Sequence, residues 1–507
     1  MDERLRALCD LAVSGVRENA GLHEYDGRIQ DLSPDGVRAG LARLGDPATG
    51  GPAPGTHDEA HLAVFEALVR LELGELAEHR RNPLLHVGAM DLSCYDREYA
   101  PAAERAEARR RHLGAWPDAV DAACESLDRV PRPVAEALLP AARGLAAGLD
   151  PADPAAAAAL AAHGRFVRHV ERAAAAADPD AAIGGRALER LLGVGEGMHV
   201  DLGRLEERAD AERDRLRAML DDACGRLAPG RPTAEVVAEL LRDHPEADGV
   251  LSEARAVTAE SIAFTAEHRL VPDLDGECAV GPAPPSRRWA LAMLSWAAPY
   301  EADAPSRYYI TPPEPDWPAE EREDWLAVFS RSTLPAITVH EVAPGHFAHG
   351  RSLRRAAGDV RRVLQSAAFI EGWAHYAEEV CIEEGFRGGD PLFAAGVALE
   401  ALTRVTRLAV SLGVHAGSMR MDEAARRFEA DAFIRGPAAA AEATRATYDP
   451  TYGRYTWGKL ELLRLRDEAR AAWGPAFSLP RFHAAVLALG APPLGLMGHA
   501  LDGAGGT

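Results

Sequence analysis

The sequence predicts a mainly α-helical protein, a large multi-helical fold with at most a small β element, and three features carry that reading. Nearly every informative window repeats its apolar residues at three and four, as in HLAVFEALVRLELGELAEHRR over 61–81, which is the pattern of an amphipathic helix. Runs with the period-two alternation of a half-buried strand are few. Gly/Pro-rich breaks separate long helical stretches instead of bounding short strands.

In chain order, the N-terminal MDERLRALCDLAVSGVRENA alternates acidic and basic residues around apolar ones and reads as an amphipathic helix. Further helical spacing falls at 61–81, 101–129, 133–148, 154–177, 203–227, 233–243, 251–268, 353–384, 392–416, 421–432, 437–446, 456–473 and 479–488. The Ala tracts at 154–162 and 173–177 read as helix interiors, because alanine loses least on entering a helix. EERADAERDRLR, 206–217, reads as a solvated helix face with pairs at i, i+4. RYYITP, 307–312, is the best strand and HRLVPDL, 268–274, a weaker one. Loops are expected at 44–58, 273–286 and 311–320. The second of them divides the chain into an N-terminal helical region, 1–275, and a C-terminal helical region, 276–507, where most aromatic residues and the densest histidines lie.

A chain of 507 residues can bury one large core or several smaller ones. Its 47% hydrophobic and 26% charged content is that of an ordinary globular protein. The net charge of −22 repels nucleic acid and anionic membrane, and no compact Lys/Arg run reverses it, so neither is expected as a partner. No apolar run approaches the roughly 20 residues of a membrane span, and no basic segment leads into an apolar one at the N-terminus. The expected location is cytoplasmic. Six cysteines without C-x-x-C spacing suggest neither a disulfide framework nor a thiolate metal site.

The chemistry concentrates in TVHEVAPGHFAHG, 338–350. H-E-x-x-H places two metal-binding histidines one helical turn apart around a general base, but here His346 follows His340 by six positions instead of four. On an undistorted helix the two would point about 120° apart. Pro344 lacks an amide hydrogen and clashes with the carbonyl four residues back, that of His340, so the helix must kink or bulge. A bulge at Pro344 and Gly345 that absorbs about two residues returns His346 to the ligand position. A third ligand is needed, and AFIEGWAHYAEEVCIEEGF, 368–386, places Glu371, His375 and Glu378 on one helix face. Glu378 and Glu379 fit a solvated helix face equally well. His57 and His61 have the regular i, i+4 spacing, but Thr56 or Asp58 caps the helix there, and an exposed helix start is expected instead of a ligand pair.

HEVAPGH followed by EGWAHYAEE resembles domain-of-unknown-function family 885, zinc hydrolases that share H-E-x-x-P-G-H and E-G-W-A-x-Y and are often likened to gluzincin metallopeptidases. Supporting similarity extends through SRYYITPP, LAVSLGVHAGSMRMDEA, RYTWGKLELLRLRDEA and FHAAVLALGAPPL. Many relatives carry two histidines after Pro-Gly, whereas Phe347 follows His346 here, which leaves His349 as a fallback ligand. The resemblance implies one Zn²⁺ per chain on His340, His346 and Glu371, in a central cleft. It implies Glu341 as general base and an oxyanion donor among Tyr455, His415, Tyr309 and Tyr376, in that order. His375 and Glu378 would orient a ligand, and Trp373 would buttress the metal helices. The expected reaction is hydrolysis of an amide-type carbonyl in a short peptide or small molecule. Two rivals remain: a metal-dependent enzyme of specialised metabolism acting on a non-peptide, and a metal-free binding or scaffolding protein. Oligomeric state is not encoded legibly.

Overall fold

A computed structural model describes residues 1–45, 51–176, 178–288, 290–301 and 304–502. Of the expected loop at 44–58 and the Ala tract at 173–177, residues 46–50 and 177 therefore lie outside the described residues. The fold is mainly α, and among the described residues there is one three-stranded sheet.

Four long helices frame the centre, and each begins where local chemistry allows. Leu202–Leu227 is capped by Asp201, which accepts from the Arg204 amide. Ala367–Glu383 is capped by Ser366, which accepts from the Phe369 amide. Pro391–Ala416 starts with proline at its first position under an Asp390 cap and ends at Gly417 in the left-handed region. Arg454–Trp473 completes the set. Leu202–Leu227 runs along Pro391–Ala416, and Ala367–Glu383 along Arg454–Trp473. Leu216, Leu220, Phe369, Trp373, Leu402, Val405, Leu462 and Leu465 fill the space between them. At roughly 1.5–3 kcal/mol per buried large apolar side chain, this core outweighs any single polar contact in the bundle.

One buried polar network also ties these helices. Lys459, with no exposed surface, donates to Glu379 at 2.6 Å and to Glu212, and Arg215 reaches Glu379 at 2.6 Å. Glu378 and Glu379 are thus both buried, contrary to the solvated-face alternative. The Leu202–Leu227 and Arg454–Trp473 helices pack over Glu379, and Thr333–Glu341 and Pro391–Ala416 over Glu378, which removes the water that periodicity alone left open.

The expected stretch 353–384 is two helices, Gly358–Val363 and Ala367–Glu383, because Ser366 starts the second afresh. HRLVPDL is not a strand: it follows the helix Val250–Glu267, Arg269 takes φ 53°, and the Leu270 amide returns to the Thr265 carbonyl, so its backbone finishes a helix instead. Conversely, β1 (Cys278–Pro282) forms inside the segment expected to be loop. Its partner is the distant β3 (Ser306–Ile310), which it meets in parallel, while β2 (Ala292–Ser295) pairs with β3 antiparallel and forms an edge. Along β3, Ser306, Tyr308 and Ile310 are buried and Arg307 and Tyr309 half-buried, the alternation expected of RYYITP.

Cores cross position 275. Leu188 through Val237 share one with residues from Ala368 to Ala500, and Leu5, Leu8 and Leu62 share another with Val360, Val363 and Leu364. The second covering overturns one expectation. Thr56 does cap the helix His57–Val69, but His57 and His61 are buried at 8% and 0% exposure, not displayed on an open helix start. No helix among the described residues is long and apolar enough to cross a membrane.

Candidate metal site

The helix carrying His340, Thr333–Glu341, stops one residue after it, and the next, His346–Leu353, begins at the second histidine. The four residues between, which include a cis Ala343–Pro344 bond, interrupt the helix completely instead of kinking or bulging it. The Gly345 amide donates to the Val339 carbonyl and the Ala348 amide to the Val342 carbonyl, both at 3.1 Å. Each bond spans six residues where a helix spans four, so two residues are absorbed. The rings of His340 and His346 consequently meet, centroids 4.7 Å apart. Glycine is required at 345, since a β-carbon there would lie 1.9 Å from the His340 carbonyl oxygen. From the neighbouring helix Trp373 donates its indole N–H to the Pro344 carbonyl at 2.9 Å and braces the break.

Glu371 faces both histidines: its Oε2 lies 3.5 Å from His340 Nε2 and 3.4 Å from His346 Nε2. These separations exceed an ordinary charge-assisted hydrogen bond. They match the edge, about 3.4 Å, between two donors that each sit about 2.1 Å from one tetrahedral ion. The three donor atoms form a group able to hold a metal ion. Burial opposes the Glu371 charge, but the two facing imidazoles override it and hold the carboxyl well below its usual range. Burial and Arg404 oppose the His340 imidazolium, yet Glu371 and Glu378 lift it to about 9.

Glu378, fully buried, accepts from His340 Nδ1 at 2.7 Å, which fixes the ring and turns Nε2 toward Glu371. Arg404 Nη1 donates to both Glu378 oxygens at 2.8 and 2.9 Å, and His375 Nδ1 donates to Oε2 at 3.2 Å. His375 thus touches the carboxylate that orients His340 and none of the three clustered donor atoms. Burial works against the Glu378 charge; Arg404 and His375 more than offset it and keep the carboxyl ionised.

Glu341 is anchored by the Leu294 amide, which donates to Oε2 at 2.8 Å from the free edge of β2. Tyr455 lies over His340, ring centroids 6.4 Å apart, and its hydroxyl has no hydrogen-bond partner among the described residues. Burial first, then the Glu371 charge, raises its pKa, so the phenol remains a donor. Its helix can approach because Gly372 and Gly458 face each other: a β-carbon on Gly458 would lie 2.0 Å from the Ala368 carbonyl oxygen.

The remaining expected residues lie elsewhere. His349 is fully buried and reaches the Gly490 carbonyl at 3.1 Å, so the second histidine at the cluster is His346. Tyr376 bonds His483 Nε2 at 2.9 Å in the core behind Trp373. His415 has both nitrogens engaged, with the Ala446 carbonyl at 2.7 Å and the Ile183 amide at 3.4 Å, beside a separate cavity lined by Glu78, Arg81 and Tyr448. Tyr309 is on the face of β3 opposite Tyr308, whose hydroxyl meets Thr338 of the His340 helix at 3.3 Å. Arg404 and Leu294 belong to the site without being marked by either motif. Arg404 had a signal, as Glu400, Arg404 and Arg407 interrupt an otherwise apolar helix at i, i+4 and i+7. Leu294 acts through its backbone and had none.

The fold is similar to that of two solved structures. One, from Shewanella oneidensis, is described as a putative lipoprotein of unknown function; it is 19% identical over 99% of this chain and 98% of its own, with a TM-score of 0.77. The other, a putative lipoprotein from Colwellia psychrerythraea, is 17% identical over 99% and 97%, also at 0.77. No curated protein sequence matches the chain. Residues 16–501 match the family described as "Bacterial protein of unknown function (DUF885)", and over that length the chain belongs to it.

Proposed function

We propose that this protein is a metal-dependent hydrolase, with Zn²⁺ as the ion and an amide- or peptide-type carbonyl of a small molecule or short peptide as the group attacked. The observation that carries the reading is that Glu371 Oε2 stands 3.5 Å from His340 Nε2 and 3.4 Å from His346 Nε2, with all three donor atoms within 4.8 Å of one another, a two-imidazole, one-carboxylate donor set suited to zinc. When bound, such an ion supplies Lewis-acid polarisation of a carbonyl and a water acidic enough to react near neutral pH.

The protein's own groups then divide the work. Glu341, one oxygen held by Leu294, turns its other oxygen to the nucleophilic water, takes its proton and returns it to the leaving amine. Tyr455, protonated and with a free hydroxyl, donates to the oxygen on which charge develops. Glu378 holds His340 in its ligating tautomer, and Arg404 neutralises that buried charge. The free edge of β2 beside Glu341 offers backbone groups to an extended substrate, which supports a peptide-like one.

The test is a dipeptide and amide library screened with the zinc-loaded wild type and Glu341→Gln side by side. The expected result is wild-type turnover reduced by about 10²- to 10⁴-fold in the variant, the usual contribution of a positioned general base, with zinc content unchanged. Equal activity of the two excludes Glu341 from that role.

A further inference from the structure

His57 and His61, which the proposed hydrolase site does not use, are buried at 8% and 0% exposure, and none of their four ring nitrogens has a hydrogen-bond partner. The Leu364 carbonyl faces the His61 ring without completing a bond of normal geometry. Buried polar atoms left unmatched in this way call for a physical explanation. Burial keeps both rings neutral, His57 near 4 and His61 near 3, so each presents a lone pair at physiological pH. They stand one turn apart on the regular helix His57–Val69, the spacing at which two side chains share one face. A third imidazole comes from the C-terminal helix His499–Asp502: the rings of His57 and His499 are 5.0 Å apart and those of His57 and His61 5.6 Å. His499 donates Nδ1–H to the Leu496 carbonyl at 3.0 Å, which leaves Nε2 as its lone-pair atom.

Two imidazoles on one tetrahedral ion have ring centroids about 5 Å apart, given metal–nitrogen bonds of about 2.1 Å, and the His340–His346 pair stands at 4.7 Å. We propose that His57, His61 and His499 form a second divalent transition-metal site, independent of the first, which pins the C-terminal turn to the His57 helix. His57 is the central ring of the three; the donor atoms do not converge as the rings stand, and closing the site requires exposed His499 to leave the Leu496 carbonyl and rotate over His57. Asp58 is engaged by Arg361 at 2.6 Å and supplies no ligand. An all-imidazole set selects Zn²⁺, Co²⁺, Ni²⁺ or Cu²⁺ over Mg²⁺ or Ca²⁺.

The probe is Co²⁺, titrated into untagged, metal-stripped protein and followed by visible absorption and thermal unfolding. Wild type is expected to bind two equivalents and His340→Ala/Glu371→Gln one. His61→Phe, which preserves the ring packing, should reduce each count by one, and His499→Gln should weaken that equivalent by at least about tenfold, as loss of a coordinating group does. His57→Phe gives the same readout if His61→Phe fails to fold. Loss of the first site removes the other equivalent, so failure of the hydrolase reading is seen separately. A single equivalent in wild type, or a count that survives both Phe variants, overturns the proposal and leaves the histidines as buried aromatic packing.

Discussion

Replacing Glu378 by glutamine separates the orienting of a ligand from the stability of the core. The side chain has no exposed surface, and its oxygens serve His340 at 2.7 Å, Arg404 at 2.8 and 2.9 Å and His375 at 3.2 Å. Glutamine keeps the shape and one acceptor but loses the charge, which leaves Glu400, at 3.4 Å, as the one carboxylate paired with Arg404 among the described residues. Breaking a buried ion pair from one side costs about 3–5 kcal/mol. Losing the carboxylate behind a ligating histidine weakens metal binding by about 10- to 100-fold. Zinc affinity, measured by competition with a chromophoric chelator, and urea unfolding of the metal-free protein read the two effects independently. Adding Arg404→Met removes the orphaned cation, so stability should recover in the double variant while zinc affinity does not. Unchanged zinc affinity in a folded Glu378→Gln protein would refute the orienting role. Parallel recovery of affinity and stability would reduce it to core packing.

Tyr455→Phe should retain zinc and lower kcat on any substrate found by about 10²- to 10³-fold, the usual loss of one oxyanion donor; an unchanged kcat removes Tyr455 from the mechanism. Gly458→Ala pushes a β-carbon to within 2.0 Å of the Ala368 carbonyl and should cost on the order of 1–3 kcal/mol, seen as a lower Tm. Burial raises Glu196 to about 7, against weaker opposing bonds from the Leu494 amide and Ser366 hydroxyl. Between its ordinary pKa and that value the folded protein holds a proton the unfolded chain has released, so stability falls as pH rises through the window. Its share is up to about 3 kcal/mol between pH 5 and 8, and Glu72, also raised to about 7 by burial, adds a fall of the same sign. Urea midpoints measured across that range should flatten in Glu196→Gln.

The helices were legible wherever a face was apolar over several turns, and the two motif segments single out His340, His346 and Glu371, which the fold brings together. Their spacing also signalled a break, since Pro344 cannot continue a helix through His340. What the motif did not contain was the form of that break: bulge and complete interruption both absorb two residues, and the bonds from Gly345 and Ala348 distinguish them. Among the proposed oxyanion donors, only Tyr455 is beside His340, because order of resemblance carries no information on which face of a helix meets the cleft.

By itself, the sequence determined the helical class, the positions of most helices and the two segments whose His340, His346 and Glu371 make up the candidate metal site, because periodicity, capping and proline geometry act over a few residues. Tertiary structure decided the rest. It closed β1 onto β3, buried Glu379 on Lys459, set Leu294 against Glu341, supplied Arg404 to Glu378 and covered His57 and His61. Each of these depends on residues far apart in the chain, and whether a polar side chain meets water, a cation or another imidazole is settled by what packs over it.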